Sequence, residues 1–353
     1  MSIENQAEFY RRNVCDYDAS IVSVTAHIAE GFAQFSEFLR TIFADWRAYE
    51  TSTVKSERTK IGIMTDDLEN YHNLTYTLDT LYAISAVGIL MSEGESKYLS
   101  VNKRLFKGEY KQSATLPLVM LEKYGFHFAC FKGEKTAEFN RCDSFNVGYE
   151  NGAELIEAVS FLVTQLRSLE RNKSMAPKTA FMLADYHFAL TGEINQNPTQ
   201  SSVVNTVGPL GEMWKKLASA IGDECGLVAD SSFNPYVFPD RTITFKQGKR
   251  SVCKFGISVD RLSVRLPLSF ESAKALVLRR KTLPASVNQN IDWFHCINCG
   301  KCKDEANIEI VEGVPLCKLS YKNFMVEDST CLRFDVTSMD EVDVICDVIR
   351  ESV

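Results

Sequence analysis

The sequence holds no uncharged apolar run approaching the roughly 20 residues that span a bilayer. Its start, Met1-Ser2-Ile3-Glu4-Asn5-Gln6-Ala7-Glu8, lacks the basic residues and short apolar stretch of a secretory signal. No Gly-rich phosphate fingerprint accompanies a helix start, and no complete catalytic motif appears. These absences predict a cytoplasmic protein without a membrane partner and give no reaction to assign, so the reading leans away from an enzyme. In the cytosol the eleven cysteines read as thiols or metal ligands rather than disulfides.

What is present argues for a folded chain. A content of 45% hydrophobic and 24% charged residues is ordinary for globular proteins and excludes disorder, and 353 residues are enough for two domains. The net charge of −7 is unevenly spread: residues 241–303 carry thirteen Lys/Arg against three Asp/Glu, a local +10, which leaves −17 for the rest. That segment is the expected surface for an anionic ligand, its alternative being solvated strand faces paired with acids elsewhere.

The fold class expected is α+β: a helical N-terminal part, two α+β halves of antiparallel hairpin or meander plus helix, and a small Cys-rich, zinc-ribbon-like C-terminal module. Residues 20–49 read as a helix whose Val24, Ile28, Phe32, Phe35, Leu39, Ile42 and Trp46 form an apolar stripe that suits core burial. A second helix is expected from Thr65 or Asp66 to about Met91. A β-hairpin is expected over 126–140, and a helix over 152–169. A helix is also read from Pro209.

The clearest strands are Arg241–Lys246, Ser251–Ile257 and Arg261–Leu266, an antiparallel meander followed by a helix from Phe270 to Lys281. Alternation there puts Arg261 and Arg265 on one open face. A strand at 332–336 and a helix at 339–349 close the chain, and the recurring strand–helix order suggests a duplication. The expected domains are 1–170, a linker at 171–178, a meander domain at 179–292 and a Cys-rich module at 293–353 with its closing strand and helix.

Cys296-Ile297-Asn298-Cys299-Gly300-Lys301 has the local form of a zinc knuckle, in which a tight turn aims two thiolates at one ion. Residues 307–317 read as a hairpin turning at Glu312-Gly313, which returns Cys317 towards the knuckle. Seventeen residues separate Cys299 from Cys317, a zinc-ribbon gap. Cys296, Cys299, Cys302 and Cys317 are the metal ligands expected, with Cys331 and His295 as substitutes for the fourth. Cys296–Cys302 also resembles the opening of a bacterial ferredoxin cluster motif, which implies a [4Fe-4S] cluster and electron transfer. The chain departs from that motif at Ala306, where the fourth cysteine would stand.

The function expected is a non-catalytic binding or regulatory protein with a structural zinc and a basic ligand surface at 241–303, contacted through Lys254, Arg261, Arg265 and Trp293. Its partner is a protein or an anionic ligand. One alternative is nucleic-acid binding through the same surface, aided by Trp293 and Phe294; another is an enzyme, iron–sulfur or otherwise, for which Asp185, His187 and His127 are the side chains to consider.

Overall fold

The computed structural model describes residues 3–20, 23–49, 66–94, 96–130, 139, 141–150, 152–169, 176–193, 200–229, 241–291, 294, 307–318 and 331–352, with backbone alone at some of these positions. The chain forms two compact units, residues 1–195 and 196–353. Both combine helices with an antiparallel sheet, as the α+β reading expects. No helix among the described residues is long and apolar enough to cross a membrane.

The first unit contains α1 (Ile3–Asn13), α2 (Ala26–Ala44), α3 (Asp66–Val87), β1 (Ile89–Glu93), β2 (Ser96–Asn102), α4 (Lys103–Glu109) and α5 (Thr115–Lys123). After these come β3 (Phe126–Phe128), β4 (Ser144–Tyr149), α6 (Ala153–Leu169), α7 (Ala176–Met182) and α8 (Tyr186–Thr191). Helix α2 starts at Thr25, whose side-chain oxygen accepts from the Ile28 N–H. Its stripe residues Ile28, Phe32, Phe35, Leu39 and Ile42 are all buried. Aromatic neighbours explain the ring-rich stripe: Phe32 lies 4.2 Å from Tyr186, Phe35 5.0 Å from Phe181 and Phe38 5.4 Å from Phe126. The stripe is therefore core and offers no partner surface.

Helix α2 packs along α6. At Gly31 the two helices approach so closely that a Cβ would lie 2.2 Å from the Glu154 carbonyl oxygen and 2.5 Å from the Ala158 Cβ. His27 is half-exposed but tied down: its Nε2 lies 2.9 Å from Glu157, and Lys97 of β2 reaches the same carboxylate.

The structure bears on three expectations for this unit. Helix α3 ends at Val87, and Ile89–Met91 belong to β1, because the chain passes Gly88 tight against Leu99 and turns into the sheet. Strand β3 pairs with β4 at 144–149, giving the order β1-β2-β4-β3, while 136–138 and 140 of the expected hairpin lie outside the described residues. Helix α7 overlaps the end of the expected 171–178 linker, and α7 and α8 pack against α6 within residues 1–195.

The second unit contains α9 (Gln200–Val207), α10 (Gly211–Ser219), β5 (Val228–Ala229), β6 (Arg241–Gln247), β7 (Arg250–Ser258), β8 (Arg261–Pro267), α11 (Phe270–Leu278) and α12 (Ala285–Ile291). It closes with β9 (Ile308–Val311), β10 (Val314–Cys317), β11 (Cys331–Asp335) and α13 (Met339–Ser352). The meander has the expected register, and its sheet order is β11-β8-β7-β6-β5. A bulge between Phe245 and Lys246 lets the consecutive residues Val252 and Cys253 both bury. Trp214 of α10 packs edge-on against Phe255 at 5.7 Å, so a helix covers the sheet's apolar face.

The helix expected from Pro209 is preceded by α9, with a 3-10 turn at Gly208–Leu210 between α9 and α10. Helix α13 begins with a capping box: the Glu341 carboxylate accepts from the Ser338 N–H at 3.0 Å, and the Glu341 N–H donates to the Ser338 hydroxyl.

The separate zinc-ribbon-like module is not what the described residues form. Strand β11 pairs with β8 inside the main sheet, and Val311, Val314 and Leu316 of the β9–β10 hairpin are buried in the same core as Phe255 and Leu276. A four-residue-per-strand hairpin has too little apolar surface to stand alone, so it leans on α11. The two sheets also differ in strand order, so the suggested duplication reaches no further than strand–helix pairing.

Replacing Gly31 with alanine is expected to cost about 1–3 kcal/mol, since the α2–α6 contact has no room for a methyl group. Urea unfolding of the variant should show a lower midpoint; an unchanged midpoint would contradict the close approach.

Candidate ligand-binding face

The sheet of the second unit has one apolar and one polar face because side chains alternate along each strand. Ile243, Phe255, Ile257, Leu262, Val264, Leu266 and Leu332 point into the core. On the opposite face the register sets Thr244 beside Lys254, Lys254 beside Arg265, and Arg265 beside Arg333. Three cations therefore stand directly opposite one another on β7, β8 and β11, about 4.8 Å apart from strand to strand.

Arg261 is on the same face and is held by Asp335, at 3.0 Å. Ser263 contributes a hydroxyl that bonds back to the Gly256 carbonyl at 3.4 Å. Cys331 lies at the end of the row. Burial pushes its thiol above the ordinary range, while hydrogen bonds from Arg333 and Arg265 pull the other way.

Of the expected ligand residues, the structure brings Lys254, Arg261 and Arg265 onto one face, and Trp293 lies outside the described residues. Phe294, expected to be an exposed aromatic, is 2% exposed and belongs to the core. Arg333 completes the row and was not anticipated. Its strand was visible in the sequence, but alternation alone does not say which strand will be its neighbour.

Other cations of the basic segment are used differently. Lys274 of α11 meets Glu309 of β9 at 2.6 Å, and Lys318 approaches the same carboxylate at 3.3 Å. Both ammonium groups also lie 5.9 Å from the Phe270 ring centre. This clamp fixes the hairpin to α11.

Cys296, Cys299 and Cys302 lie outside the described residues, and Cys317 ends β10 opposite Ile308. The hairpin turns at Glu312-Gly313 as expected, with positive φ at both residues. Among the described residues no group of three or more His, Cys, Asp or Glu is placed to hold a metal.

The side chains considered for catalysis have structural settings. Asp185 caps α8 by accepting from the Phe188 N–H at 2.9 Å, His187 is part-buried on that helix, and His127 is exposed on β3. The first unit carries an open cavity of about 600 Å³ lined by Glu30, Glu37, Phe38, Tyr124, Tyr149 and Glu150. Its Lys123 is bound to Asp45 at 2.6 Å, so carboxylates dominate and the cavity does not suit an anion.

No family model, curated protein or solved structure matches this chain.

The hydrogen bond from Lys274 holds the Glu309 carboxyl below its ordinary range; burial opposes this and Lys318 assists it. A lowered folded value stabilises the fold above the unfolded value of about 4.3 and is lost as pH falls through the folded one. Glu309→Gln should therefore lower the melting temperature at neutral pH, with the difference from wild type closing as pH falls below the ordinary glutamate range. A constant difference across thermal melts in that range would rule out the linkage.

Proposed function

We propose that this is a non-catalytic binding protein whose second unit presents the polar face of its five-stranded sheet to an anionic partner. The observation that carries the reading is the registered row Lys254–Arg265–Arg333. The sheet holds the three cations in register without the ordering cost of a flexible basic tail. The hydroxyls of Thr244 and Ser263 add short polar groups beside the charges.

A nucleic-acid partner fits this face through its phosphates. None of the strongly exposed large apolar side chains among the described residues is aromatic, so the geometry favours charge contact over base stacking. The ligand class is accordingly a polyanion recognised by charge and spacing.

The proposal keeps a structural zinc held by Cys296, Cys299, Cys302 and Cys317. Its support is the cysteine spacing together with the β9–β10 turn, which brings the chain back along itself to Cys317. Such a metal would supply folding free energy to the end of the second unit and take no part in chemistry.

Binding of a labelled single-stranded oligonucleotide and of inorganic polyphosphate, measured at low and moderate salt, tests the anion reading. Affinity should fall with salt, and replacing Lys254, Arg265 and Arg333 together with alanine should flatten the salt dependence by about one per lost phosphate contact. No binding at low salt, or unaltered binding by the folded triple variant, would refute it. Metal analysis of untagged protein addresses the zinc separately. One zinc per chain is expected; iron with visible absorbance would favour the [4Fe-4S] alternative, and metal-free folded protein would remove both.

A further inference from the structure

Eight large apolar side chains stand exposed among the described residues, and three of them, Ile89, Leu90 and Met91, are consecutive on β1. This strand is the edge of the first unit's sheet, and all five of its residues are exposed. Across the sheet, Leu90 faces Leu99, Leu99 faces Val147, and Val147 faces Phe128. Burial along that row is complete at Leu99 and Val147, and then fails at the edge, where Leu90 is 37% exposed. On the other face Ile89 is 68% and Met91 42% exposed. The edge therefore shows apolar surface on both sides of a row of backbone donors and acceptors that pairs with no second strand among the described residues.

Edges of this kind are normally blunted by lysine, proline or a bulge. Residues 89–93 contain no lysine or proline, and their register with β2 is unbroken. An open backbone edge is completed by another extended strand. The sequence of β1 specifies which strand fits, because residues directly opposite in an antiparallel pair share a face. With a two-fold axis at Leu90, Leu90 meets the partner's Leu90 and Ile89 meets the partner's Met91, so every apolar side chain finds an apolar neighbour. Moving the axis to Met91 would set the Glu93 carboxylate against the partner's Ile89, and moving it to Ile89 would carry Met91 past the strand. In the favoured register Glu93, the only charged residue of β1, falls outside the apolar pairs.

We propose that β1 pairs antiparallel with β1 of a second copy of this chain about Leu90, joining two four-stranded sheets into one of eight strands. In this register three residues of β1 a side, 89–91, face one another, against roughly 20–30 in a standard interface, so the dimer is weak and depends on concentration.

Sedimentation of the full chain over roughly 1 µM to 1 mM, the range of weak association, is the test. The average mass should rise towards that of a dimer. Ile89→Lys, at a position largely in solvent, should weaken association at least tenfold while melting like wild type. Leu90→Cys should form an intermolecular disulfide on mild oxidation faster than Ser92→Cys, since facing Cα atoms at the axis lie within disulfide reach. A monomer throughout that range would overturn the proposal, as would a dimer unaffected by Ile89→Lys. Equal cross-linking at residues 90 and 92 would overturn the register.

Discussion

Strand β8 lies between β7 and β11, and the backbone hydrogen bonds on its two sides fix where every side chain of that sheet points. A slip of one residue on either side would send Val264 and Leu266 outwards and bring Arg265 into the core, which burial does not permit. The pairing that builds the core is thus the same constraint that lines up Lys254, Arg265 and Arg333 on the opposite face. Core formation and the accumulation of positive charge are two results of one register.

The first unit is governed by close packing of another kind. Helix α2 lies against α6 at Gly31, and the rings of Phe32, Phe35 and Phe38 fill the space towards α7, α8 and β3. That packing uses the stripe an interaction surface would have needed, and among the described residues β1 carries three of the unit's four exposed large apolar side chains, the fourth being Leu105. Cations on a sheet face in one unit and an exposed strand edge in the other are different kinds of surface. The first attracts by charge over a distance that salt shortens, whereas the second acts only on contact.

Legibility in the sequence followed the range of the forces involved. The β6–β8 meander was readable because period-two alternation and turn residues act locally, and its strands begin and end within a residue of where the pattern put them. The α2 stripe was readable for the same reason at helical period. The partner of β3 was not, since strand pairing depends on which chain segments meet, and Ser144–Tyr149 resembles an ordinary polar stretch in isolation. The break between α3 and β1 was also hidden, because Ile89-Leu90-Met91 continues the apolar pattern of the helix before it.

By itself the sequence determined the α+β class, the alternating strands of the second unit, the buried aromatic face of α2 and the uneven distribution of charge, all of which follow from residue type and local period. Tertiary structure decided that Arg333 joins Lys254 and Arg265, that Lys274 is engaged by Glu309, that the β9–β10 hairpin belongs to the main core, and that β1 is left at an edge. Each of these depends on contacts between residues far apart in the chain, and local propensity carries no information about which distant segment will arrive as a neighbour.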